Sequence, residues 1–129
     1  MSLHYRNYEG YVLMEKIELP THISGDWWNG MGPITVRVNG DPLDLTSTEI
    51  KMQIRRGRKP SDAVLAEWST TDGTIQIIDG SNGVFNISGR VLTLPGGNLF
   101  SDVQVKTQDE RYFTIIPEIV WNVINDITR

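Results

Sequence analysis

The sequence contains no cysteine. Disulfides, Cys-ligated zinc, iron–sulfur clusters and thiol nucleophiles are thereby excluded. Histidine is nearly as scarce, with only His4 and His22. No apolar run approaches the roughly 20 residues that a bilayer-spanning helix needs, so no membrane span is expected. The opening MSLHYRNYEGY lacks the basic segment followed by an apolar segment that marks a secretory signal. The net charge of −4 gives no general attraction to a phosphate backbone, and no nucleic-acid partner is expected. The one basic run, Arg55-Arg56-Gly57-Arg58-Lys59, stands before Pro60 and reads as a solvated loop. Amphipathic helix periodicity, internal repeats and low-complexity tracts are also missing.

What the chain does have is alternation. Its 129 residues fit one domain of the common size of about 100–150 residues. In residues 49–55, Ile50, Met52 and Ile54 point one way, and Glu49, Lys51, Gln53 and Arg55 the other. That period of two is a strand with one face on a core and one toward water. Leu99, Ser101, Val103 and Val105 alternate in the same manner with Phe100, Asp102, Gln104 and Lys106. Further strands are predicted at 34–38, 64–69, 74–78 and 84–88, with a last long strand or strand pair from Tyr112 onward. Asn39-Gly40 suits the positive φ angles of a tight hairpin, and residues 79–83 (DGSNG) form a second turn. Pro117 suits a sheet edge or a bulge, because it cannot donate to a ladder. Three glycines and a proline make residues 24–33 a loop.

Seven to nine short strands with turns every 8–12 residues predict an all-β domain, a sandwich or a barrel. The predicted domain covers residues 21–129. Residues 1–20 read as an extra strand, or as an arm reaching a neighbouring subunit, ended by Pro20.

Searching for chemistry turns up no catalytic constellation. No GxSxG stands near either histidine, and two unpaired histidines do not make a zinc site. Residues 79–83 lack the alternating acids and closing Glu of a calcium loop. No carboxylate pair is placed in a cleft by the pattern, and Gly96-Gly97 belongs to no phosphate loop. The chain is expected to be no enzyme and to carry no metal or cofactor.

Two constellations do stand out. Trp27-Trp28 lies in the glycine-rich loop, where adjacent indoles either cap an open end of the sandwich or anchor a partner or a sugar ring. Trp68 and Trp121 sit in strand phase and read as core. Arg55 and Asp102 share the polar phase of their strands. If those strands are neighbours, a bidentate ion pair would set register.

Several short motifs, in order, complete the reading: Gly25-Asp26; Pro42-Leu43-Asp44-Leu45-Thr46; Met52-Gln53-Ile54-Arg55; Leu94-Pro95-Gly96-Gly97; Phe100-Ser101-Asp102-Val103-Gln104; and Ile127-Thr128-Arg129. With them the chain resembles the small β-sandwich domains of bacteriophage and prophage tail or baseplate proteins, including the N-terminal domain of upper baseplate proteins. The resemblance covers about residues 24–129. It departs from the pattern at Leu99-Phe100, where aromatic residues usually approach the Asp. It departs again at the Trp27-Trp28 loop and at Asp109-Glu110-Arg111. It implies an immunoglobulin-like sandwich serving as a structural or adaptor part of a virion, assembled in the bacterial cytoplasm. The implied partners are other tail proteins and copies of itself, since such assemblies are symmetric. The alternative is a carbohydrate-binding module that recognises a host glycan through Trp27 and Trp28.

Overall fold

The computed structural model describes residues 2–8, 11–13 and 16–128, with side chains for residues 16–128. It is all-β, as the alternation predicts, and a sandwich. The strands are β1 (Ser2–Tyr8), β2 (Tyr11–Leu13), β3 (Ile17–Glu18), β4 (His22–Ile23), β5 (Trp27–Trp28), β6 (Met31–Val38) and β7 (Asp41–Pro42). They continue with β8 (Glu49–Arg55), β9 (Val64–Ser69), β10 (Ile75–Asp79), β11 (Val84–Ile87), β12 (Arg90–Val91), β13 (Gly97–Lys106) and β14 (Tyr112–Ile124). Eight of these are four residues or longer, within the expected seven to nine.

One sheet runs β10-β11-β6-β1-β2, with β7 also on β6; the other runs β3-β14-β13-β8-β9, with β4 also on β14. β5 and β12 form a separate two-stranded ribbon. Pairing is antiparallel except where the N-terminal segments join: β1 lies parallel to β6, and β3 and β4 lie parallel to β14.

Inward side chains of the two sheets make one core. Ile50, Met52 and Ile54 from β8 and Leu99, Val103 and Val105 from β13 meet Ile34, Val36, Phe85 and Ile75 from the facing sheet. Ser101 sits at an inward position of β13 and is buried as well. Trp68 and Trp121 are fully enclosed, as strand phase predicts.

Turn chemistry also follows the sequence. Asn39 and Gly40 adopt φ 51° and 87° between Val38 and Asp41, which are paired. Asp79 accepts from Asn82 Nδ2 at 2.8 Å and from Ser81 Oγ at 3.2 Å, and a short 3-10 turn, Gly80–Asn82, leads into Gly83. Pro117 falls where the β13–β14 register shifts between Ser101↔Ile119 and Val103↔Ile116, so the ladder bulges around a residue that cannot donate.

The loop expected at residues 24–33 is a correction. It contains β5, and β6 begins at Met31 instead of Ile34. Gly32 and Pro33 together face Asn86, between the pairs Ile34↔Phe85 and Met31↔Ile87. A bulge thus admits the proline into a strand that composition alone would begin only after it.

Candidate functional site

The ribbon β5–β12 separates the two adjacent tryptophans. Trp28 turns inward, with its ring centroid 5.0 Å from Trp121 and 5.4 Å from Trp68. Trp27 turns outward and is 62% exposed, opposite Val91, which is 60% exposed. A two-residue strand must do this, because successive side chains leave on opposite faces. The ribbon lies close to the chain behind it: a Cβ at Gly89 would come 2.4 Å from the Trp28 carbonyl oxygen. The paired-indole platform expected at Trp27-Trp28 is therefore divided, with Trp28 serving the core and Trp27 alone facing outward.

His22 belongs to the same end of the second sheet and is buried, with Nε2 2.9 Å from the Leu92 carbonyl oxygen. Ile23, its neighbour, pairs with Ile124, and both are exposed. The Ile23–Ile124 and Trp27–Val91 pairs are joined by the turn in which the Asp26 N–H donates to the Ile23 carbonyl at 3.0 Å.

The second place of interest is the outer face of this same sheet. β8 and β13 are neighbours, with Phe100 opposite Arg55, Asp102 opposite Gln53, and Gln104 opposite Lys51. Their outward side chains, with the loop after β8 and the β14 bulge, line an open groove of about 240 Å³. Arg55 and Asp102 both line it. They sit one rung apart, and no bidentate bond joins them among the described residues. Arg55 Nη2 donates to Gln53 Oε1 at 2.7 Å, and Nη1 donates to the Asp62 carbonyl. Gln53 Nε2 in turn donates to Glu67 Oε1 at 2.8 Å, and Lys51 Nζ stands 3.6 Å from the same oxygen. The polar face is thus tied along β8 and β9, and Asp102 is left to one side. Among the described residues, the one side-chain hydrogen bond to its carboxylate is long, from Gln104 Nε2 at 3.5 Å, and its own backbone N–H also favours the charged form. Burial pushes its pKa above the ordinary 3.8, and the positive charge of Arg55 works against that shift.

The loop that sequence assigned to solvent contributes a wall of this groove. The Arg58 guanidinium lies 3.9 Å from the Phe100 ring centroid and is ion-paired with Glu118. The Lys59 N–H donates to Asp62 Oδ2 at 3.0 Å, which closes the loop. Arg58, Phe100, Gln104 and Glu118 were not expected as site residues: Arg58 was read as part of a solvated loop, and Phe100 and Gln104 as outward strand positions. The usable signal was that Phe100 and Gln104 share the outward phase of Asp102. The approach of Arg58 to Glu118, 60 positions away, had no local signature.

Among the described residues, no group of three or more His, Cys, Asp or Glu side chains is gathered to hold a metal ion. Among those residues, no helix is long and apolar enough to cross a membrane. No protein-family model matches the chain, and no curated protein matches it.

Proposed function

We propose that this protein is a non-enzymatic structural or adaptor component of a phage or prophage tail or baseplate, working through protein–protein contacts and self-association. Two things support the reading. The motifs from Gly25-Asp26 to Ile127-Thr128-Arg129 occur in the order of such domains. The observation that carries the contact role is the outward Trp27–Val91 pair, large apolar side chains more than half exposed on a ribbon whose inner face is anchored by Trp28. Tryptophan presented on a rigid support is the residue type that dominates protein interfaces. Glycan recognition through Trp27 and Trp28 would have one outward ring to use, which favours the protein-contact reading.

Immunogold electron microscopy of particles from an induced lysogen, with antibody that recognises the native chain, tests this. Gold at the tail tip is expected. Unlabelled particles, with the protein left in the soluble fraction, would overturn the virion role.

A further inference from the structure

The groove over β8 and β13 has a chemistry that the adaptor role does not use. Its floor is polar: Gln53, Asp102 and Gln104 stand side by side on adjacent rungs. Amides and a carboxylate at that spacing suit a ligand with several hydroxyl groups. Asp102 has acceptor capacity to spare, since among the described residues its one side-chain hydrogen bond is long.

Charge narrows the class further. The lining holds three cations, Arg55, Arg58 and Lys59, against two anions, Asp102 and Glu118. Glu118 is occupied by Arg58. The Arg55 hydrogen bonds go to neutral acceptors. The groove therefore keeps a positive side along a chain whose net charge is −4. A cationic ligand for Asp102 would meet that side, whereas an anionic group fits it. Size sets the last limit: about 240 Å³ is below the roughly 300–1,000 Å³ of pockets for drug-sized ligands, and suits a single ring. The Phe100 face is covered by Arg58, so recognition is by hydrogen bonding and charge more than by stacking.

We infer that this groove binds an acidic sugar unit, with ring hydroxyls on Asp102, Gln53 and Gln104 and the anionic group toward Arg55 and Lys59. The inference does not rest on the tail-component reading, and the electron microscopy above leaves it untouched.

Amide chemical-shift mapping on the full chain tests it, with glucuronate, glucose, inorganic phosphate and a glutamate-rich peptide as probes. Glucuronate at millimolar concentration is expected to shift amides of β8 and β13 around Gln53 and Asp102, and glucose to shift the same set more weakly. Asp102→Asn should weaken glucuronate binding about tenfold, the scale of one charge-assisted hydrogen bond. Gln104→Ala, an exposed change, should weaken it less and guards against a folding defect in the first variant. Absence of shifts in the groove, or undiminished binding in both variants, would overturn the assignment. Phosphate matching glucuronate would reduce the groove to a simple anion site, and tighter binding of the peptide would assign it to a protein; either result also overturns the inference.

Discussion

The indole Nε1–H of Trp121 donates to Ser101 Oγ at 2.8 Å, diagonally across the β13–β14 ladder, and both residues are buried. The hydroxyl is the reason a polar residue interrupts the inward row Leu99, Val103, Val105. Ser101→Ala leaves the indole donor unpaired inside the core. We expect a loss of about 1–3 kcal/mol, measured by urea unfolding. A loss within the about 0.5 kcal/mol typical of neutral surface changes would show that the hydroxyl is dispensable.

Trp27 and Trp28 should respond oppositely to truncation. Trp28→Ala opens a hole against Trp68 and Trp121, and we expect a loss of about 3 kcal/mol or more. Trp27→Ala removes an exposed ring and should stay within about 0.5 kcal/mol. Self-association followed by sedimentation should weaken in Trp27→Ala if the outward ring is a contact. Equal stability losses in the two variants would contradict the division of the pair.

Two sets of carboxylates should act on stability with opposite sign. Asp102 is raised above 3.8 chiefly by burial, so the folded protein holds its proton more readily than the unfolded chain. When ionised it subtracts stability, and that penalty fades as pH falls through the folded pKa toward 3.8. Asp102→Asn should therefore raise Tm near neutral pH and have no such effect below about pH 4. Asp44, Asp72, Asp79 and Asp109 are lowered by hydrogen bonds from Thr46, Thr74, Asn82 and Arg111 respectively. What they contribute is present above 3.8 and is lost as pH falls through their lower folded values. Tm measured across pH 2–7 for the parent and for Asp102→Asn separates the two sets, and a pH-independent difference would refute the assignment to Asp102.

Gly83 has φ 71°, and a Cβ there would stand 2.6 Å from the Val36 carbonyl oxygen and 2.7 Å from that of Leu43. Gly40 has φ 87° with nothing near its Cβ position. Gly40→Ala should cost only the left-handed backbone penalty, about 1–3 kcal/mol, while Gly83→Ala adds two backbone clashes. Equal melting temperatures for the two variants would mean that the chain around Gly83 yields freely.

Strand identity was legible because it is local. The inward row of β8, the inward row of β13, the Asn39-Gly40 hairpin and the turn at residues 79–83 each follow from neighbouring residues, through alternation or through tolerance of positive φ. The beginning of β6 was not legible, since Gly32-Pro33 signals a break unless a partner strand supplies the bulge. The fate of the tryptophan pair was illegible for a similar reason: in a glycine-rich stretch read as a loop, only pairing with the distant β12 makes a strand that parts the two rings.

By itself the sequence determined an all-β chain without thiol chemistry, with strand rows that demand a buried face and with Arg55 and Asp102 on outward positions. Tertiary structure decided which strands are neighbours, and with that it placed Asp102 opposite Gln53 and sent the Arg55 hydrogen bonds to Gln53 and Asp62. It also brought the loop after β8 against Phe100 and Glu118 to make a groove. Alternation sets the side of a sheet to which a side chain points, but cross-strand register and loop packing set what it meets there, and those depend on residues far apart in the chain.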